Sequence, residues 1–125
     1  MKFILDEPGG GYAIQHYANG KITVNGIIYR ENLLVMPNQV IPQWRPASFD
    51  DLTPEDFVQL AKLGSEIVIL GTGSKQRFPT PALTYPLFDA RIGLEVMDTA
   101  AACRTFNILM SEGRQVAAAL FTINP

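Results

Sequence analysis

Gly71-Thr72-Gly73-Ser74-Lys75-Gln76-Arg77 joins two glycines, two hydroxyls and two cations in seven residues. Glycines let backbone N–H groups come close to a ligand, and hydroxyls and cations suit an anion. The run follows Glu66–Leu70 (EIVIL), which reads as a buried strand bounded by glycines. Ligands of open parallel α/β sheets sit beyond the carboxyl ends of such strands. Met97-Asp98-Thr99 meets the same requirement after the strand expected at Ile92–Met97, and the two segments share one rim if their strands are neighbours. The loop matches neither a Walker loop, whose spacing is absent, nor a dinucleotide fingerprint, whose third glycine is replaced by Gln76. A solvated surface loop and a partner-docking loop are its other readings.

Asp98 is either the N-cap of the following helix or a general base or ligand contact. Glu95 stands in a strand whose other members are apolar or glycine. If buried it needs a cation, for which Lys75, Arg77 and Arg104 are candidates, or an environment tuned for acid/base work. If that strand face is open to solvent it needs neither. Arg104, Asn107 and Ser111 form a stripe at helical spacing, a solvated face whose first member lies near the rim of Asp98. Cys103 borders the packed stripe of Ala102, Phe106, Leu109 and Met110 and reads as a small buried hydrophobe. The single histidine, His16, lies in the other half of the chain, so no nucleophile–base pair is legible. Trp44, followed by Arg45, is either a cover for the core or an interface anchor.

Two grammars position these residues. Over residues 1–47 turn signals at Gly9-Gly10-Gly11, Asn19-Gly20 and Asn25-Gly26 separate short runs at Tyr12–Tyr17, Lys21–Val24, Ile27–Tyr29 and Leu33–Met36. That predicts an antiparallel meander. Pro37, Pro42 and Pro46 then predict a connection without strand or helix. From Thr53-Pro54-Glu55-Asp56, a strong helix start, helices and strands alternate. A helix ends at Gly64, a strand covers Glu66–Leu70, and a short helix runs from Thr80-Pro81 towards Ala90, its regularity limited by Pro86. A strand at Ile92–Met97, a helix at Thr99–Glu112 and a strand at Gln115–Phe121 complete the pattern. The α-β-α-β-α-β order implies parallel strands, with the first half packed on the sheet or extending it.

The chain has 125 residues, 47% hydrophobic and 18% charged, which bounds it to one folded domain over residues 1–125. A net charge of −2 argues against a nucleic-acid partner. One cysteine and one histidine exclude an internal disulfide and a Cys/His zinc cage, and neither a metal nor a cofactor is expected. No apolar run approaches the roughly 20 residues of a membrane span, and no signal-peptide pattern opens the chain, so a cytoplasmic protein is expected.

Three stretches together resemble one family: Ile69 to Pro79, Gly93 to Asn107 and Glu112 to Leu120. It is the Mth-domain family of small bacterial, archaeal and eukaryotic proteins of unknown function. Its mitochondrial branch includes an assembly factor of NADH:ubiquinone oxidoreductase, respiratory complex I. The resemblance implies a compact three-layer α/β fold and supplies no catalytic residues. The sequence opens without the Arg- and Ser-rich pattern of the mitochondrial members' presequence, so a bacterial cytoplasmic protein is the expectation.

Two functions follow as expectations. The first is a non-enzymatic assembly or interaction protein, with a subunit of a membrane complex as a candidate partner. The second is a binder of, or enzyme acting on, a small anion or nucleotide through Gly71–Arg77 and Asp98.

Overall fold

The structure, a computed structural model, describes residues 11–124. Gly9 and Gly10 of the first turn signal lie outside the described residues. Eight strands and three helices follow in order: β1 (Ile14–His16), β2 (Ile22–Val24), β3 (Ile27–Tyr29), β4 (Leu33–Met36), β5 (Gln39–Ile41), α1 (Pro54–Ala61), β6 (Ile67–Gly71), α2 (Pro81–Asp89), β7 (Gly93–Met97), α3 (Thr99–Ser111) and β8 (Val116–Leu120). A single 3-10 turn, Phe49–Asp51, precedes α1.

The centre is a five-stranded mixed sheet in the order β5-β4-β8-β6-β7. β6 runs parallel to both β7 and β8, while β4 is antiparallel to β8 and β5. All five residues of β8 (VAAAL) are buried, as a central strand covered on both faces requires. Successive side chains of β6 point to opposite faces. Val68 and Leu70 join Phe57, Leu60 and Leu87 of α1 and α2 in one core. Ile69 joins Phe106 and Met110 of α3, with Ile22 and Val24 of the small sheet, in the other. The result is a three-layer α/β fold, with α1 and α2 on one side of the sheet and α3 with the antiparallel sheet β1-β2-β3 on the other.

Local chemistry explains these elements. The β2–β3 hairpin turns through Asn25 and Gly26 at φ 47° and 84°, with Val24 paired to Ile27. Positive φ at both turn residues matches the twist of the flanking strands. Helix α1 begins with a capping box: the Thr53 N–H donates to Asp56 Oδ2 at 2.8 Å, and the Asp56 N–H donates to Thr53 Oγ1 at 3.4 Å. Arg45 grips the same carboxylate with two hydrogen bonds of 2.6 Å.

The N-terminal half does both things open to it. β1–β3 pack on the fold as a separate sheet, and β4 and β5 extend the main one. β5 corrects the expectation of a strandless connection from Pro37 to Pro46. Pro37 and Asn38 form the two-residue turn of the β4–β5 hairpin, where Met36 pairs with Gln39, and Pro42 follows the strand. The prolines flank a three-residue edge strand instead of interrupting a ladder, and edges tolerate that. Other boundaries move by a residue or two; Gly71 belongs to β6, not to the loop, and Tyr12–Tyr17 narrows to Ile14–His16.

Candidate functional site

Gly71 pairs with Met97 and with Leu120, so β6, β7 and β8 end at one level. The structure therefore brings Gly71–Arg77 and Asp98-Thr99 to one rim. Gly71 has to lack a side chain there: a Cβ would lie 2.9 Å from Leu120 Cδ2 and 3.0 Å from both Ala102 Cβ and Thr99 Oγ1.

Thr99 ties the three strand ends together. Its buried hydroxyl donates to the Phe121 carbonyl at 2.6 Å and accepts the Gly73 N–H at 2.8 Å, while its own N–H donates to the Gly73 carbonyl at 2.9 Å. Thr72 does the same for the loop. Its N–H donates to the Met97 carbonyl at 2.9 Å, and its hydroxyl donates to the Lys75 carbonyl at 2.6 Å and accepts the Arg77 N–H at 3.2 Å. Both hydroxyls thus hold the backbone in shape.

Gln76 closes an edge. The bonds from the Gly93 N–H to the Glu66 carbonyl and from the Thr72 N–H to the Met97 carbonyl turn residues 93, 95 and 97 towards β6. The backbone groups of Leu94 and Val96 consequently face the open side of β7. Gln76 Nε2 donates to the Val96 carbonyl at 3.0 Å and covers one of them.

Asp98 is the N-cap of α3, accepting the Ala101 N–H at 2.8 Å. Glu95 is exposed on edge strand β7, and of its three candidate cations two are engaged elsewhere. Arg77 pairs with Asp50 at 2.7 Å. Arg104 donates to the Tyr17 hydroxyl at 3.5 Å, which raises its pKa, with Asp98 adding in the same direction. The open strand face is the reading that Glu95's exposure matches. Trp44 is buried, with its ring centroid 5.1 Å from that of Phe121. Cys103 is fully buried, and burial pushes its thiol up to about 12, which matches the reading as a small buried hydrophobe.

A cleft of about 270 Å³ opens at the rim. Ser74, Lys75 and Arg77 of the loop line it together with Ser48, Phe49 and Phe121. The Arg77 guanidinium lies 4.2 Å above the centre of the Phe49 ring. Glu95, Asp98, Thr99 and Arg104 do not line it. Among the described residues no group of three or more His, Cys, Asp or Glu side chains could hold a metal ion.

Sequence reasoning missed two features. Phe49 and Phe121 wall the cleft from distant parts of the chain, and no local spacing announces that. The outer face of α2 did carry a signal: Pro81 to Phe88 (PALTYPLF) contains no charge. A helix that is apolar all round has more surface to cover than one face against its own core. Pro81, Tyr85 and Phe88 follow one another at i, i+4 and i+7 along its exposed side. Tyr85 is 52% and Phe88 83% exposed, and Phe78, just before the helix, is 71% exposed. Beside Phe88 a groove of about 590 Å³ runs past Asp89, Arg91, Ile92 and Gly93 at the start of β7.

Residues 14–121 match the family described as "Protein of unknown function (DUF498/DUF598)". Over 109 residues the chain is 36% identical to NADH dehydrogenase [ubiquinone] 1 alpha subcomplex assembly factor 3 of Bos taurus. That match covers 86% of this chain and 59% of the bovine protein. An uncharacterised protein of Rhodobacter capsulatus is 34% identical over 118 residues, covering 91% of this chain and 89% of that one. Among solved structures, a Mth938-like domain from Bordetella pertussis superimposes with a TM-score of 0.82 at 29% identity, covering 99% of this chain and 94% of that one.

Proposed function

This chain belongs to the DUF498/DUF598 family, and from that footing we propose that it is a non-enzymatic interaction protein that helps assemble a respiratory membrane complex. The observation that carries the reading is the outer face of α2. Tyr85 and Phe88 expose large apolar surface on a helix free of charge from Pro81 to Phe88, next to a groove that starts at Phe88. Clustered exposed apolar side chains of this kind mark protein interaction surfaces. The partner is a subunit of the complex under assembly, presenting an apolar surface to α2. The name of the bovine relative supports that choice of partner. The internal engagement of Thr72, Thr99 and Asp98 at the strand-end rim also favours interaction over catalysis. No helix among the described residues is long and apolar enough to cross a membrane.

Tagged protein crosslinked in cells of its source, with mass spectrometry of the captured chains, tests this. Wild type is expected to bring down subunits of a respiratory complex, and Phe88→Asp to lose them. Capture without such subunits, or equal capture by Phe88→Asp, overturns the proposal.

A further inference from the structure

The cleft at the strand ends is built differently from the α2 face. Its loop is fixed from three sides, by Thr72 from within, by Thr99 from α3 and by Gln76 bonded across to β7. A ligand would meet a preorganised surface and lose little free energy to loop ordering. The backbone N–H groups of Ser74 and Lys75, both lining residues, donate to no acceptor among the described residues, and neither does the Ser74 hydroxyl. The two cations of the cleft also differ. Arg77 is paired with Asp50 at 2.7 Å and its guanidinium sits 4.2 Å over the Phe49 ring, so it is already engaged on two sides. Lys75 is exposed and has no carboxylate within ion-pair distance among the described residues. Among the described residues, one ammonium without a carboxylate partner, two N–H donors without acceptors and a hydroxyl therefore belong to residues lining the same cleft as Phe49.

We infer that this cleft binds a small oxyanion, a phosphate ester or carboxylate carried on a compact apolar body. The donors of the 74–75 segment and the Lys75 ammonium hold the oxyanion, since charge-assisted bonds to an anion are the strong ones. The half-buried Phe49 meets the apolar body, with Phe121 packed behind it in the core. The volume of about 270 Å³ restricts the body to a single ring or a short branched chain, too small for a dinucleotide. This site is separate from the α2 face and does not rest on the proposed assembly role.

Titration of the ¹⁵N-labelled protein with phenyl phosphate, benzoate and benzyl alcohol tests it. Saturable shifts are expected at Gly73, Ser74, Lys75 and Phe49 with one or both anions, which also tells phosphate from carboxylate. Benzyl alcohol, the same ring without charge, is expected to leave these signals in place. Lys75→Ala is expected to weaken anion binding by about tenfold, as loss of one charged hydrogen bond does. Lys75 is exposed, so the variant folds, and an unchanged spectrum elsewhere verifies that. Phe88→Asp is expected to bind the anion as wild type does, even if it loses the assembly partner. Non-saturating shifts spread over all surface cations, equal binding of benzyl alcohol, or full affinity in Lys75→Ala would each overturn the inference.

Discussion

Single side chains carry much of the rim's order, and Thr99 carries the most. Its buried hydroxyl serves the Phe121 carbonyl and the Gly73 N–H at once. Thr99→Val keeps the shape and strands both partners, so a loss of about 3 kcal/mol is expected. Thr99→Ser keeps both bonds and is expected to lose about 1 kcal/mol or less. Thermal unfolding separates them: the valine variant should melt about 10 °C lower, the serine variant close to wild type. Asp56 gives stability a pH signature. Burial pushes its carboxyl up, but the hydrogen bonds from Arg45 and from the Thr53 N–H and hydroxyl outweigh that and hold it below the ordinary carboxylate value. The unfolded chain therefore takes the proton first. The contribution of Asp56 is complete above about pH 4 and is lost as pH falls through the folded value. Asp56→Asn is expected to cost about 2 kcal/mol at pH 7, with the gap to wild type closing below about pH 4 in urea unfolding curves. A gap independent of pH contradicts this account of the clamp.

At the scale of elements, legibility followed local signals. Thr53-Pro54-Glu55-Asp56 and Asp98 announced α1 and α3 because caps are made by neighbouring residues. Asn25-Gly26 announced its hairpin because the turn needs positive φ at both positions. β5 stayed hidden because three residues between prolines carry no periodicity, and pairing with β4 decides their state. The site was legible to the same extent. Strand alternation put Gly71–Arg77 and Asp98 on one rim if their strands are neighbours, but the lining by Phe49 and Phe121 comes from tertiary packing. Edge strand β7 also has a device no spacing shows. Gln76 covers the Val96 carbonyl and Glu95 places a charge beside it, two ways of keeping an edge from pairing with another chain. Gln76→Ala combined with Glu95→Val is expected to raise self-association in sedimentation velocity. An unchanged profile would mean that neither residue guards the edge.

For the whole molecule, the fold separates two surfaces. The strand-end rim is polar and internally bonded, and the α2 face is apolar and open. Phe88 is 83% exposed, so Phe88→Asp is expected to change folding stability by no more than about 0.5 kcal/mol, read by urea unfolding. On the proposed reading, Phe88 is exposed because it meets a partner and not because the core needs it. The partner class proposed for the α2 face is taken from the names of relatives, and the chain spans 59% of the bovine assembly factor's length. A role in assembly is read most plainly in cells. Cells of the source lacking this chain would be complemented with wild type or Phe88→Asp, and their membranes assayed for assembled NADH:quinone oxidoreductase on native gels with an activity stain. Loss of the assembled complex is expected without the chain, recovery with wild type, and no recovery with a Phe88→Asp protein present at normal abundance. A full complement of enzyme without the chain, or full recovery by the variant, would contradict the assembly role.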